Sequence, residues 1–256
     1  MFRVLWNGKS AMNANQEKLD AISNNLANSG TSGYKKVDVQ FKDLLSETLE
    51  RQGYPTSDKN AYTGTGVRTT GWVRDYKQGT LTQTGISTDF AIDGEGFFRV
   101  KTSDGQDAYV RAGNFEVDVD GKLVDSSGNK IQLNFMEGYN ENNTKFYKNT
   151  FTVNTDGEIF LSENGGIKKV AELPVYNAVG STGFIAKGDN LYVPSEGAQV
   201  YRQTDVSVRQ GFLENANIDI AQEFTDMITA QRAFQLGSKA ITTADEMWGM
   251  VNQLRR

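Results

Sequence analysis

The chain has 256 residues with a net charge of -5 at pH 7, and it contains neither cysteine nor histidine. These two absences exclude cysteine nucleophiles, Ser-His-Asp triads, disulfides, iron–sulfur clusters, zinc fingers and histidine-ligated metals. An acidic chain without basic blocks also argues against sequence-independent binding of nucleic acid, which requires a positively charged surface. An enzyme built from this chain could use only carboxylates, lysine, tyrosine or serine.

The composition favours many short strands and turns, because 38% of the residues are hydrophobic and 26 are glycine. The first residues turn polar before an apolar core of about 7–15 residues could form, so no cleaved secretory signal is expected. No apolar run approaches the roughly 20 residues of a membrane-spanning helix. Taken alone, these features favour a cytoplasmic chain.

The first region, residues 1–30, is predicted to be a helix with one narrow apolar seam. Leucine or methionine recurs every seven residues, and an isoleucine joins this row at i+3 and i+4 spacing. The predicted seam consists of Leu5, Met12, Leu19, Ile22 and Leu26. The sequence Asn28-Ser29-Gly30 is a plausible left-handed end for this helix.

Residues 31–70 are predicted to form an extended linker. Its centre, Gln52–Gly66, is polar and rich in turn-forming residues. Gly64-Thr65-Gly66 begins like a dinucleotide-binding loop, but it lacks a third glycine and a strand–loop–helix context. The segment is therefore interpreted as a connection.

Residues 71–211 are predicted to form an antiparallel β domain. Short segments rich in Val, Ile, Phe, Tyr and Thr alternate with turns, and in most of these turns aspartate or asparagine precedes glycine. This dipeptide favours type I′ hairpin turns, whose two central residues both need positive φ. The turns include Asp93-Gly94, Asp104-Gly105, Asp120-Gly121, Ser127-Gly128-Asn129, Asp156-Gly157 and Asn164-Gly165-Gly166.

The last region, residues 212–256, is predicted to be a second helix, with Asn217 as its N-cap. Large apolar residues again recur every seven positions: Ile220, Met227, Phe234, Ile241 and Trp248. A companion row is smaller: Ala230, Gly237, Ala244 and Val251. Gly237 costs about 1 kcal/mol of helix propensity relative to alanine. Because isolated amphipathic helices are marginal in water, the two terminal helices must bury their seams against each other or against neighbouring copies. We expect them to pair like a coiled coil, which gives an α+β fold.

Three catalytic or ligand-binding alternatives have weak support. Paired carboxylates could hydrolyse a glycoside, but Glu95 lies between glycines of a predicted hairpin. The stretch from Asp118 to Gly121 resembles the start of a calcium loop, but glycine and glutamate are absent from positions six and twelve, and position twelve is Asn129. The glycosylation sequon that begins at Asn142 would matter only in a secretory pathway.

Specific motifs at both chain ends resemble the bacterial flagellar axial proteins of rod and hook. The N-terminal motif spans Asp20–Asn28, including Asn24, Asn25, Leu26, Ala27 and Asn28, and continues with Gly33, Tyr34, Lys35 and Lys36. The C-terminal motif spans Glu223–Gln235, including Gln231, Arg232, Ala233 and Phe234. In between, Asp93–Phe98 and Arg111–Phe115 are similar to the first β domain of that family.

The resemblance implies a structural subunit with no cofactor, no small-molecule substrate and no nucleic acid. Such a protein polymerises through its terminal helices into a hollow helical shaft that crosses the cell envelope and transmits torque for motility. Its partners would be further copies of itself, neighbouring rod and hook proteins, and the flagellar type III export apparatus. Export by that apparatus needs no cleaved signal peptide.

Within the family, chain length and the long segment after the first helix favour the distal rod member. The proximal rod paralogue is the second choice. A hook-type protein is less compatible, because it usually carries an additional outer β domain. A carboxylate-dependent cell-wall hydrolase is the alternative from a different functional class, and no catalytic motif supports it.

Overall fold

The computed structural model describes residues 2–44, 46–48, 62–148, 150–163, 166–180 and 183–254. Helix α1 spans Phe2–Ala27 and helix α2 spans Ile220–Leu254. The described strands between them pair antiparallel, which confirms the predicted α+β class. No helix in these ranges is long and apolar enough to cross a membrane.

Twenty-one strands lie between the helices among the described residues. The first eleven are β1 (Val37–Asp43), β2 (Ser46–Thr48), β3 (Tyr62–Gly64), β4 (Val67–Arg74), β5 (Leu81–Gln83), β6 (Phe90–Asp93), β7 (Phe97–Lys101), β8 (Asp107–Val110), β9 (Glu116–Val117), β10 (Leu123–Val124) and β11 (Lys130–Ile131). The others are β12 (Asn134–Phe135), β13 (Phe151–Val153), β14 (Glu158–Glu163), β15 (Gly166–Glu172), β16 (Val175–Ala178), β17 (Phe184–Gly188), β18 (Leu191–Pro194), β19 (Val200–Gln203), β20 (Ser207–Gln210) and β21 (Phe212–Glu214).

The chain folds into two compact units. The helical unit comprises the described residues within Met1–Ala27, Lys36–Asp75 and Ile218–Arg256. The β unit comprises the described residues within Asn28–Lys35 and Tyr76–Asn217. Each unit is therefore assembled from segments that are far apart in the sequence.

The helical unit contains paired strands in the span that the sequence assigned to an extended linker. Strand β1 pairs with β4, and Val37 and Val39 of β1 are buried. Alternation of these two valines with polar residues gives β1 one buried face and one exposed face. Residues 49–61, which contain most of the predicted turn-rich centre, lie outside the described residues.

The β unit is built on one large sheet and one smaller sheet. The large sheet has the order β17-β18-β8-β7-β11-β10-β9, and β16 pairs with both β7 and β19. The smaller sheet has the order β12-β15-β14-β13, and separate pairs join β20 to β6 and β21 to β5. Large apolar side chains such as Phe90, Phe98 and Ile159 are fully buried in the core.

Four of the six turns predicted in the β unit join paired strands, but their type differs from the prediction. Asp93-Gly94 does not form a hairpin, because β6 and β7 on either side of it pair with other strands. In four loops a glycine N–H donates to the carbonyl three residues earlier, and the flanking residues pair as the ends of a three-residue loop. The glycines of these loops are Gly105, Gly121, Gly128 and Gly157, and each has a φ near +80°. The preceding residues do not have positive φ, so these loops are type I turns followed by a left-handed glycine.

A type I′ turn does occur at two central residues that are not glycine. Asp189 and Asn190 connect β17 to β18, and their φ values are 49° and 57°. They are the two residues other than glycine with positive φ in the part of the chain that the structure describes. Asparagine and aspartate tolerate this conformation better than other residues with a Cβ. The predicted turn at Asn164-Gly165 lies outside the described residues.

Helix α2 begins later than predicted. Residues 212–214 form strand β21, which pairs with β5. The N-cap is Asp219, because its carboxylate accepts hydrogen bonds from the N–H groups of Ala221 and Gln222. Asn217, which the sequence predicted as the cap, instead donates its side-chain amide to the Lys77 carbonyl. Residues 255 and 256, at the predicted end of this helix, are outside the described ranges.

Candidate assembly site

The two helices of the helical unit contact each other through a row of small residues. Along α2, the buried positions recur every seven residues at Glu223, Ala230, Gly237 and Ala244. Three of them belong to the small companion row of the sequence. The apolar row that was predicted as the seam of α2 begins three residues earlier, at Ile220, and is less buried.

The positions predicted for the seam are buried to different extents. Ile22 of α1 is buried, with 2% of its surface exposed. Ile220, the first residue of α2, is 49% exposed. The remaining predicted positions are half-buried: Leu5, Met12, Leu19, Leu26, Met227, Phe234, Ile241 and Trp248. The prediction that these side chains meet as a coiled coil stays a prediction.

Two glycines allow the helices to approach closely. A Cβ on Gly8 would lie 2.9 Å from a side-chain carbon of Ile241 and 3.3 Å from the Gly237 carbonyl oxygen. A Cβ on Gly237 would lie 2.9 Å from a side-chain carbon of Met12. Gly237 therefore has a packing role that offsets its poor helix propensity.

On α2, several large apolar side chains point away from the buried row. Ile228 is 59% exposed, Leu236 69% and Leu254 88%. Phe224 and Met250 are also more than half exposed. With 100° between successive helical residues, Ile228 lies almost opposite the row that contains Ala230. This outer face of α2, defined by these five residues, is an apolar surface of the kind that marks interaction sites.

A buried polar cluster joins α1, β1 and α2. The Asn25 side-chain oxygen accepts the Val37 N–H at 2.9 Å, and its nitrogen donates to the Val37 carbonyl at 2.8 Å. The same nitrogen donates to a carboxylate oxygen of Glu223 at 3.1 Å. The other carboxylate oxygen of Glu223 lies 2.5 Å from the Lys36 ammonium. Asn25 and Glu223 are each 1% exposed, so the cluster fixes three elements at one buried point.

Two ion pairs at this end of the helical unit shift pKa values. Burial lowers the pKa of Lys36, but the hydrogen bond and negative charge of Glu223 outweigh that effect and raise its pKa. Burial raises the pKa of Asp38, but hydrogen bonds from Lys18 and the Val39 N–H outweigh that effect and lower its pKa. Both groups are therefore held in their charged forms across the neutral range.

A second buried charge cluster lies in the β unit. Glu214 binds the Lys35 ammonium at 2.7 Å and the Arg111 guanidinium at 2.5 Å, and all three side chains are at least 97% buried. One Glu214 oxygen also accepts the Gly79 N–H at 2.8 Å. The Arg111 guanidinium donates further to three backbone carbonyls, those of Ile92, Gly94 and Gly96.

This cluster connects residues from three of the sequence motifs. Lys35 belongs to the N-terminal motif and Arg111 begins the second β-domain motif. Two of the three carbonyl partners of Arg111, those of Gly94 and Gly96, lie in Asp93–Phe98. Gly33 is required for a steric reason, because its φ is +68° and a Cβ would lie 2.4 Å from the Ala112 nitrogen. The neighbouring Tyr34 is buried.

The other motif residues lie on the two helices or just after α1. Asn24, Ala27, Gln231 and Arg232 are exposed, while Leu26, Asn28, Ala233 and Phe234 are half-buried. The sequence did not single out Glu214, nor the pairing of Glu223 with Lys36. A charged residue that directly follows two large apolar residues, as Glu214 follows Phe212-Leu213, was the available signal for the first of these.

The residues considered for chemistry have structural roles in the described ranges. Asp118 accepts the Val119 N–H within a turn, and Glu95 is exposed. Gly66 has a φ of +125°, and a Cβ there would lie 2.5 Å from the Ser10 hydroxyl. Among the described residues, no group of three or more Asp or Glu side chains could hold a metal ion.

Three protein-family models match successive parts of the chain. Residues 5–35 match the model described as flagella basal body rod protein, and residues 91–161 match the flagellar hook protein FlgE/F/G D1 domain. Residues 209–254 match the flagellar basal body rod FlgEFG protein C-terminal model. Helices at both ends, an antiparallel β domain and these matches define the class of flagellar rod and hook axial proteins.

Full-length relatives identify the family within that class. The chain is 33% identical to the flagellar basal-body rod protein FlgG of Borreliella burgdorferi, and the alignment covers 100% of both chains. It is 36% identical to FlgG of Bacillus subtilis over 100% of both chains, and 35% identical to FlgG of Agrobacterium fabrum over 98% of both. The chain belongs to the FlgG family of flagellar basal-body rod proteins.

Proposed function

We propose that this chain is the subunit of the distal rod, the helical shaft that links the flagellar motor to the hook. Full-length similarity to FlgG proteins supports this choice over the proximal rod paralogue and over hook-type proteins. The subunits would join one another and the neighbouring rod and hook proteins through their terminal helices. The shaft would cross the cell envelope as part of the basal body.

The outer face of α2 is the observation that carries this proposal. A single subunit leaves Phe224, Ile228 and Leu236 largely exposed on a helix that already buries its opposite side. Exposure of such large side chains is unfavourable in water, and burial against another chain would remove that cost. A helical homopolymer provides a neighbour for this face in every subunit except those at its ends.

The proposed role is structural rather than catalytic. The relatives named above are rod proteins, and the acidic residues considered for catalysis take part in turns or face solvent. We also propose export by the flagellar type III apparatus without a cleaved signal peptide. Mass spectrometry of the subunit from purified basal bodies should find α1 intact, and a trimmed α1 would contradict this route.

A charge on the outer face of α2 tests the assembly proposal. Ile228→Asp should abolish rod-like polymers in electron micrographs of the purified protein, because the carboxylate would have to be desolvated in the contact. Monomer stability should change by no more than about 0.5 kcal/mol, since the side chain is exposed.

Ile185→Asp is the matched control, because Ile185 is 54% exposed but belongs to the β unit. This variant should polymerise like the parent protein. Normal polymers from Ile228→Asp, or equal loss in both variants, would contradict a contact through α2.

A further inference from the structure

The buried row of α2 contains a repeat that does not by itself define how the two helices align. Ala230, Gly237 and Ala244 are spaced by seven residues and present small side chains to the same side of the helix. A slide of α2 by one heptad, about 10.5 Å at 1.5 Å per residue, would again place small residues at most of these contacts. Packing alone therefore discriminates weakly between alignments.

Glu223 occupies the same row one heptad before Ala230, but its chemistry differs from that of the others. Its carboxylate is 1% exposed and is bound by Asn25 from α1 and by Lys36 from the segment before β1. Any slide of α2 would carry the carboxylate away from both partners. The helix would then bury a carboxylate away from both of these partners.

The partners of Glu223 are themselves fixed. Asn25 makes two hydrogen bonds to the backbone of Val37, so its amide cannot follow a sliding helix without releasing strand β1. Lys36 immediately precedes that strand. Buried polar groups are known to select one alignment of packed helices even where they add little stability.

We propose that Glu223 determines the register of α2 against α1, with Asn25 and Lys36 as the positioning residues that hold its carboxylate. The register decides where the outer face of α2 lies along the axis of the helix pair, so this inference rests on the proposed assembly through that face. Glu223 is then a specificity-determining residue for assembly, and its contribution to the stability of a single subunit is secondary.

The absence of cysteine from the sequence allows a clean measurement of register. Spin labels can be attached to the full chain at Asn13→Cys and Lys239→Cys, two exposed positions on the facing helices. Double electron–electron resonance then reports the distance between the labels. The labelled parent should show one distance population, and added Glu223→Ala should show a second population, displaced by the heptad slide.

Assembly should follow register. Glu223→Ala should lower the polymerised fraction at least tenfold, while thermal unfolding of the β unit stays unchanged. Glu246→Gln is the matched control, because it neutralises an exposed carboxylate on the same helix and should alter neither readout. A single parental distance in Glu223→Ala together with normal polymers would overturn the proposal.

A charge swap keeps the proposal testable if Glu223→Ala unfolds the helical unit. Lys36→Glu alone places two carboxylates together and should broaden the distance distribution. Combined with Glu223→Lys, it restores an ion pair, and the single parental distance should return with polymerisation within about twofold of the parent. If the swap restores helix content but not the distance, the inference is wrong.

The two proposals fail in different ways. A parent chain that never polymerises would contradict the assembly role, whereas the distance measurement on the monomer would still test the register. Parental polymers together with an unaltered distance in every variant would contradict the register inference alone.

Discussion

The two units of the molecule bury different kinds of side chain. The β unit encloses large apolar residues, and Phe90, Phe98 and Ile159 have no exposed surface. On α2 the helical unit buries small residues and one carboxylate, while residues as large as Phe224 and Leu236 face outward. The β unit thus has the core of an independent domain, whereas the helical unit leaves large apolar side chains of α2 exposed.

The largest expected effect comes from truncating one side chain in each unit, which tests the difference between their cores. Phe98→Ala should destabilise the β unit by about 3–5 kcal/mol, because it removes a fully buried ring and leaves a cavity. Ile228→Ala should change monomer stability by less than about 0.5 kcal/mol, because the side chain is exposed on α2. Urea unfolding of both variants measures the difference. A comparable loss in both would mean that α2 is as enclosed as the β core.

The buried charge cluster of the β unit should be almost as sensitive. Glu214→Gln removes the charge that faces Lys35 and Arg111 and should cost roughly 3–5 kcal/mol, because two buried cations lose their partner. Glu172→Gln is the control, since its ion pair with Arg202 is solvent-exposed and should contribute about 0–1 kcal/mol. Equal effects in urea unfolding would contradict a special role for Glu214.

A smaller effect separates the two glycines of α2. Gly249→Ala should stabilise the helix by about 1 kcal/mol, because nothing lies within 4 Å of the added Cβ. Gly237→Ala should show little or none of this gain, because its Cβ would lie 2.9 Å from Met12. Circular dichroism during thermal unfolding would detect the difference. Equal gains would show that the helices do not approach closely at Gly237.

The smallest effect is a pH dependence of the stability of the helical unit. Asp38 has a lowered pKa in the folded protein. Its contribution to the free energy of unfolding is therefore complete above the ordinary aspartate pKa of about 3.9, and it is lost as the pH falls through the lowered pKa of the folded state. Lys36 has a raised pKa in the folded protein. Its contribution to the free energy of unfolding is therefore complete below about pH 10.4, and it is lost as the pH rises through the raised pKa of the folded state.

In Asp38→Asn, the loss of helical-unit stability at acidic pH should therefore be smaller than in the parent protein. The difference should be no more than about 1 kcal/mol, because the ion pair of Asp38 with Lys18 is partly exposed. The contribution of Asp38 and Lys36 to stability should be constant between these limits, as measured by unfolding at fixed pH values. If Asp38→Asn loses as much stability at acidic pH as the parent protein does, other carboxylates must cause that loss.

The sequence predicted the features that local patterns control. Seven-residue spacing located both helices, and aspartate or asparagine before glycine located the turns. The same spacing could not decide which row of α2 faces α1, because the rows that begin at Ile220 and Glu223 have the same period. In the structure the row that begins at Glu223 is the buried one, and Gly8 of α1 lies against Gly237 of that row as well as Ile241 of the other.

Features that depend on distant residues could not be predicted from local patterns. The hydrogen bond between Asn25 and Glu223 joins residues 198 positions apart, and the ion pair of Lys35 with Glu214 joins residues 179 apart. Motif resemblance marked Asn25, Lys35 and Glu223, but gave no reason why they were needed. The pairing of β1 with β4 was missed for the same reason, because its intervening segment resembles a linker.

Amide hydrogen exchange tests most directly whether the helical unit is completed by its neighbours. In dilute monomer, α1 and α2 should exchange much faster than the core strands β7 and β8, and polymerisation should slow exchange in both helices. The outer face of α2 should contribute to that change through the residues around Ile228. Helices in the monomer that are protected as strongly as β7, with no further protection on polymerisation, would contradict this account.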